Sequence, residues 1–221
     1  RVQVDDPAVK LNACPAFCYH PPTFTMTVKI MGYLNRDERR DIILQAAMRL
    51  ALAGGFAAMT VRGVASEAGV SSGQVHHHFT SVGELKAQAF VRLIRDFLAI
   101  ELVAENASWR EHLHAMLGSD DGRLEPYVRL WREGQILADN DADIKGAYIL
   151  TMEIWHKETV AIIEKGQAAG EFRRSDSAAS IAWRLIGMVC GLDGICVLGI
   201  GNLDMAVFDG YLDRAISLEL F

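Results

Sequence analysis

Three adjacent histidines, His76, His77 and His78, stand inside the stretch GVSSGQVHHHFTSVGEL, residues 69–85. Imidazoles can ligate a metal, move a proton or approach a polyanion. A single metal ion needs ligands that converge, as two histidines four residues apart on one helix face do. Consecutive helical residues point about 100° apart, so this run does not chelate one ion, and packing or contact with a polyanion fits it better. Cys14, Cys18 and His20 form a C-x3-C-x-H cluster suited to zinc, but it lacks a fourth ligand. Glu111, His112 and His114 miss the four-residue spacing, and neither a glycine-rich phosphate loop nor a nucleophile elbow occurs. The expectation is no metal, no cofactor and no enzymatic activity.

The other residues with chemistry to offer lie in the second half. Asp193 sits in the apolar run SIAWRLIGMVCGLDGICVLG on a stripe with Ile186, Cys190 and Val197. A carboxylate among apolar neighbours must be paired or hydrogen-bonded. Two readings stay open: a counter-charge for a ligand, or a bond to Arg184 of a second copy or to backbone near Gly191 and Gly194. Trp109, Tyr127, Trp131, Tyr148, Met152 and Trp155 recur at helical spacing, with His112, Met116, Thr151 and Thr159 nearby. Each alone reads as core. Together with Cys190 and Asp193 they can line a cavity between helices, a common place for small-molecule sites. Aromatic faces attract cations, so the expected ligand is cationic or amphiphilic.

These residues need helices to hold them. Ile42, Ile43, Ala46, Ala47 and Leu50 recur at helical spacing, and Gly54–Gly55 is expected to end that first helix. Thr60 caps VRGVASEAG, which Gly69 stops. Ser71 with Gln74, and Ser81 with Glu84, both match the capping-box pattern; the two boxes leave room for one helix of about two turns between them. The helix after Ser81 is expected to run toward Val103. Beyond Ser108 the chain reads as helices separated by short polar breaks, with no useful strand pattern. The fold expected is all-α: a three-helix helix-turn-helix domain over residues 35–84 and a larger helical ligand-binding and dimerisation domain over 85–221. Residues 1–34, rich in proline at first and with Met26 and Met31 as plausible starts, are expected to form a disordered tail.

The wording TVRGVASEAGVSSGQVHHHFTSVGEL, preceded by IILQAAMRLALAGGF, closely resembles the DNA-binding domain of TetR-family transcriptional regulators, from Asp37 to about Ala89. The remainder resembles that family in outline, most of all its choline-responsive branch. The resemblance implies that Thr60 and Arg62 touch phosphates and that Ser72, Gly73 and Gln74 approach the major groove, where a glutamine can bond an adenine edge in bidentate fashion. It places His76 and His77 where the family has aromatic backbone contacts, and makes Phe79 a core anchor. Where the family commonly carries a lysine after the cap of the fourth helix, this chain has Val82, so that helix would contact phosphate through its backbone N–H groups. His78 is expected to be the most buried of the three histidines and to bond backbone.

Gly187, Gly191, Gly194 and Leu198, spaced four, three and four, with Phe208 and Leu212 of the last helix, are expected to form a two-fold four-helix dimer interface. Charge divides the chain. Residues 26–100 carry nine Lys/Arg against six Asp/Glu, and residues 101–221 carry 11 against 20, within a net charge of -6. A basic front and an acidic back suit different partners. No secretory signal and no uninterrupted apolar run of about 18 residues is present, and the four cysteines lack disulfide-framework spacing. The reading is a cytoplasmic homodimer, not a membrane protein, that binds double-stranded operator DNA and is released by a small molecule. An activator, a ligand-independent regulator, an enzyme built on Trp155, His156 and Asp193, or a dimeric adaptor are the alternatives.

Overall fold

The computed structural model describes residues 35–100, 102–118, 124–200 and 204–221. The tail expected at residues 1–34, with its Cys14, Cys18 and His20, lies outside them, as does Leu203. Within the described residues the fold is helical throughout: α1 (Arg36–Ala58), α2 (Val61–Ala68), α3 (Ser72–His78), α4 (Val82–Leu98), α5 (Trp109–Leu117), α6 (Glu125–Leu137), α7 (Ala142–Ala168), α8 (Ala178–Val197) and α9 (Met205–Leu220).

Local signals set most boundaries. Thr60 Oγ1 accepts the Gly63 N–H at 3.0 Å and starts α2, and Gly69, at φ 66°, ends it in the left-handed conformation glycine tolerates. Ser71 and Gln74 form a complete capping box at α3. Ser81 is only half of one. Its Oγ accepts the Glu84 N–H at 2.9 Å, but the Glu84 carboxylate turns to the N–H and hydroxyl of Thr80, at 2.7 and 2.6 Å. A second complete box, Ser108 with Glu111, opens α5. Helix α4 ends at Leu98, short of Val103.

Gly54–Gly55 does not end α1. The helix breaks there, with Gly55 at φ 70° and ψ -169°, and resumes to Ala58. The break turns Phe56 inward, where its ring meets Phe90 of α4 edge-on at 5.5 Å.

Two apolar clusters hold the fold. The first joins α1–α4 to Leu130 of α6 and Ile144 and Ala147 of α7. The second gathers α5, α7, α8 and α9 around Trp155, Ile163, Ile186 and Leu212. Residues 36–221 form one compact unit, so the expected boundary at 84/85 is not a break between packed bodies. The reason is α1: it packs on α6 as well as on α2 and α4, and α4 packs along α7. By length and composition, α1 and α8 are apolar enough to cross a bilayer. Both contribute a face to the packed core, with Ile43, Ala46 and Ala47 from α1 and Ile181, Leu185 and Ile186 from α8 fully or almost fully buried.

Candidate nucleic-acid interface and ligand cavity

The α2–α3 pair is short because two caps and Gly69 confine it, and it crosses closely because Ala65 and Val75 are small enough to bury where the helices meet. Thr60, Arg62, Ser72, Gly73, His76 and His77 all stand exposed around it, and Gln74 is half-buried. One of these is engaged by the capping box that the sequence predicts. The Gln74 Oε1 accepts the Ser71 N–H at 3.1 Å, so half of the amide needed for a bidentate contact to adenine is already held by the cap.

His78 is the most buried of the three histidines, as expected, but among the described residues its ring nitrogen Nδ1 is buried without a partner, backbone or otherwise. Burial lowers its pKa from the ordinary value, and the positive charge of His77, Arg36, Arg39 and Arg40 adds to this. Arg40 also lies over the Phe79 ring at 4.6 Å.

The start of α4 does not match the phosphate contact expected of it. Ser81 Oγ donates to Asp143 Oδ2 at 3.3 Å, and a Cβ at Gly83 would land against that same carboxylate. Glu84 stands in the first turn, its carboxyl held below the usual range first by the Thr80 hydroxyl and then by the Thr80 amide. Two carboxylates, Asp143 and Glu84, therefore stand at the start of α4.

In the second half, a cavity of about 610 Å³ opens among the helices, lined mostly by α6, α7 and α8 with single residues from α4 and α9. Trp131, Tyr148, Trp155, Cys190 and Asp193 line it, as do Phe97, Arg132, Glu125, Gln135 and Phe208. Trp131 and Trp155 meet at 4.9 Å, with the Phe97 ring edge-on to Trp131 at 6.3 Å. Trp155 donates its indole N–H to the Met116 carbonyl at 3.1 Å, whereas Trp131 Nε1 is buried beside Tyr148 without a well-formed hydrogen bond among the described residues. Burial pushes the Tyr148 hydroxyl up to about 12, and the desolvated wall, then the Asp193 charge, raise the Cys190 thiol.

Three expected ligand residues are elsewhere. Tyr127 stacks behind Phe97 at 5.5 Å, Met152 packs in the second apolar cluster, and Trp109 lies between His112 and the Lys165 ammonium.

Asp193 has a partner that neither open reading named. Arg132 of α6 holds it with two bonds, Nε to Oδ2 and Nη2 to Oδ1, both 2.7 Å, and reaches Glu125 Oε1 at 3.0 Å with Nη1. Arg184 instead pairs within the chain with Glu219 and Asp176. Arg132 and Glu125 lie seven residues apart, two turns along one face of α6, and that spacing was a usable signal; nothing local ties either to Asp193.

The proposed dimer residues divide. Gly187, Gly191 and Gly194 face open space and Leu198 is 71% exposed. Phe208 and Leu212 are not on that face: they are 3% and 0% exposed, buried in the chain's own core because α9 turns them toward the cavity and α8. Large exposed apolar residues of α9 include Val207, Tyr211 and Leu218.

Residues 43–87 match the family model described as bacterial regulatory proteins, tetR family. The repressor KstR2 of Mycolicibacterium smegmatis is 43% identical over 60 residues, which is 27% of this chain and 27% of that one. A protein from Rhodococcus sp., described as a TetR-family transcriptional regulator, is 26% identical at a TM-score of 0.69, with 84% of this chain and 100% of that chain covered. Residues 43–87 thus carry a TetR-type DNA-binding segment, and the fold is similar to that of TetR-family regulators. Another solved structure that this chain resembles comes from Saccharomonospora viridis. It is described as a transcriptional regulator in complex with choline and is 25% identical at a TM-score of 0.66, with 83% and 98% of the two chains covered. In TetR-family terms, α1–α3 carry the helix-turn-helix and α4–α9 form the helical body that encloses the cavity.

Proposed function

We propose that this chain is a dimeric transcriptional repressor that binds operator DNA through α2 and α3 and lets go when a small molecule enters the cavity. The observation that carries this reading is the joining of an exposed helix-turn-helix face and an aromatic cavity within one packed unit. Thr60, Arg62, Ser72, Gly73, His76 and His77 are the contacts proposed for DNA, with Gln74 reading a base after leaving its cap. Two recognition helices related by a dimer axis would meet successive major-groove faces of a pseudo-palindrome. The exposed glycines of α8 with Leu198 and Tyr211 supply the surface for that dimer. A cytoplasmic site of action follows from this role.

For the effector, the cavity wall favours a cation with a flat or alkyl body. Arg132 is already matched by two carboxylates, so the wall as a whole carries one excess negative charge beside Trp131, Trp155 and Phe97. An anionic effector would have to displace Asp193 or Glu125. The choline bound by the Saccharomonospora viridis relative is also a cation.

Fluorescence anisotropy with the chain's own upstream DNA and a shuffled duplex, at two salt concentrations, tests the regulator reading. Tighter binding to the upstream duplex, lost in Gln74→Ala and in Arg62→Ala, is the expected result. Equal affinity for both duplexes, or none with the fold intact, overturns it. Proflavin, a planar cation, and choline are then added to the complex as probes. Release of DNA by either is expected; release only by fatty carboxylates would overturn the cationic assignment.

A further inference from the structure

Helix α6 has one face on the cavity and another on α1. On the cavity side stands Arg132, locked to Asp193. One residue later and about 100° around the helix, Glu133 faces α1, and its Oε2 accepts the Phe56 N–H at 2.8 Å. That N–H is exposed by the break at Gly54–Gly55, which removes its helical partner. A Cβ at Gly55 would land on both Glu133 carboxylate oxygens, so the glycine is what admits the carboxylate. Arg129, one turn earlier, donates to the Leu52 carbonyl at 2.7 Å and holds the other lip of the break.

A second route from the cavity ends at the same residue. Tyr148 lines the cavity and lies parallel to Phe90 at 6.5 Å, and Phe90 meets Phe56 at 5.5 Å. Gly134 of α6 sits beneath both Phe90 and Tyr148, with no room for a larger residue without displacement. Phe56 thus receives a carboxylate from the helix that carries Arg132 and a ring from the stack that starts at Tyr148. Four residues on, Thr60 caps α2 and begins the DNA-facing surface.

We propose that the Gly55–Phe56 break is where occupancy of the cavity is felt by the DNA-reading helices, and that Glu133 is the positioning residue that couples them. This rests on the regulator reading above. An occupant that draws Asp193 or Glu125 away from Arg132 rotates or shifts α6; Glu133 then leaves the Phe56 N–H, and the short segment leading to Thr60 loses its anchor. Coupling of this kind requires one element with two arrangements that both sites bias, and the broken end of α1 is that element.

Amide hydrogen exchange of the full chain, free of DNA and effector, tests the proposal. Glu133→Gln, which weakens the acceptor, is expected to speed exchange at Phe56 by roughly fivefold, the loss of one modest hydrogen bond. Asp193→Asn, on the far side of α6, is expected to speed the same amide without changing exchange at Leu93 and Ile94 in the core of α4. In Glu133→Gln the further substitution Asp193→Asn should add little. Unchanged exchange at Phe56 in Asp193→Asn overturns the coupling, and unchanged exchange in Glu133→Gln overturns the role of that carboxylate. Should Asp193→Asn open the whole fold, which faster exchange at Leu93 and Ile94 would reveal, Arg132→Lys gives the same comparison with the charge kept. Failure here leaves specific DNA binding by the wild type untouched, and absence of DNA binding leaves the exchange result standing.

Discussion

Replacing Gly55 by alanine tests the geometry of the α1 break most directly. At φ 70° and ψ -169°, Gly55 occupies a backbone region that is essentially confined to glycine, and forcing a side chain there costs about 1–3 kcal/mol. The new methyl would also strike the Glu133 carboxylate, and expelling that group from the Phe56 N–H forfeits about 1 kcal/mol more. The expected loss is therefore about 2–4 kcal/mol, or roughly 4–16 °C in melting temperature for a unit of this size. Urea and thermal denaturation at matched protein concentration measure it. Glu133→Ala in the same chain removes the collision but keeps the strain, so the double variant should lose about 1 kcal/mol less than the sum of the two single losses. A Gly55→Ala protein within about 0.5 kcal/mol of wild type, the ordinary range for a neutral surface change, would refute the reasoning.

His78 gives a pH test. Its native pKa lies below the ordinary 6.5 because burial and the neighbouring cations disfavour the imidazolium. The stability this provides is present above that ordinary value and is lost as pH falls through the lowered native one. Between pH 7.5 and 5, the wild type should lose more melting temperature than His78→Gln; equal losses would count against the burial argument. Leu198→Glu together with Tyr211→Glu, both on exposed sites of α8 and α9, should shift the chain to monomer in sedimentation and weaken operator binding. A variant that remains dimeric would move the interface elsewhere.

Local chemistry was legible in the sequence, and contacts between distant segments were not. Thr60, Ser71 and Gly69 announce the limits of α2 and α3 because a cap or a left-handed glycine acts within a few residues. The aromatic cavity was half legible. Helical spacing grouped Trp131, Tyr148 and Trp155 correctly, but the same spacing drew in Trp109 and Tyr127, since periodicity assigns a face without naming what that face meets. Arg132 and Asp193 are 61 residues apart, and their pairing follows only from how α6 and α8 cross. The Glu84 carboxylate had two equivalent uses in the sequence, the Ser81 backbone or Thr80, and the threonine offered two donors against one. Phe208 and Leu212 were assigned to the wrong side of α9 because that helix is apolar on more than one face: Val207, Tyr211 and Leu218 stand exposed while Phe208, Leu212 and Ile216 are buried.

The first apolar cluster reaches past α4 into α6 and α7 through Leu130, Ile144 and Ala147. This bears on anyone who would graft the reading head onto another body, or exchange heads between relatives. A cut at residue 84 would strip Phe56 of Phe90 and Glu133 and leave an apolar seam facing water. A transplant that keeps both specificity and response must carry the α6 face from Arg129 to Gly134 along with the head. The unit of exchange is therefore a core, not a stretch of chain.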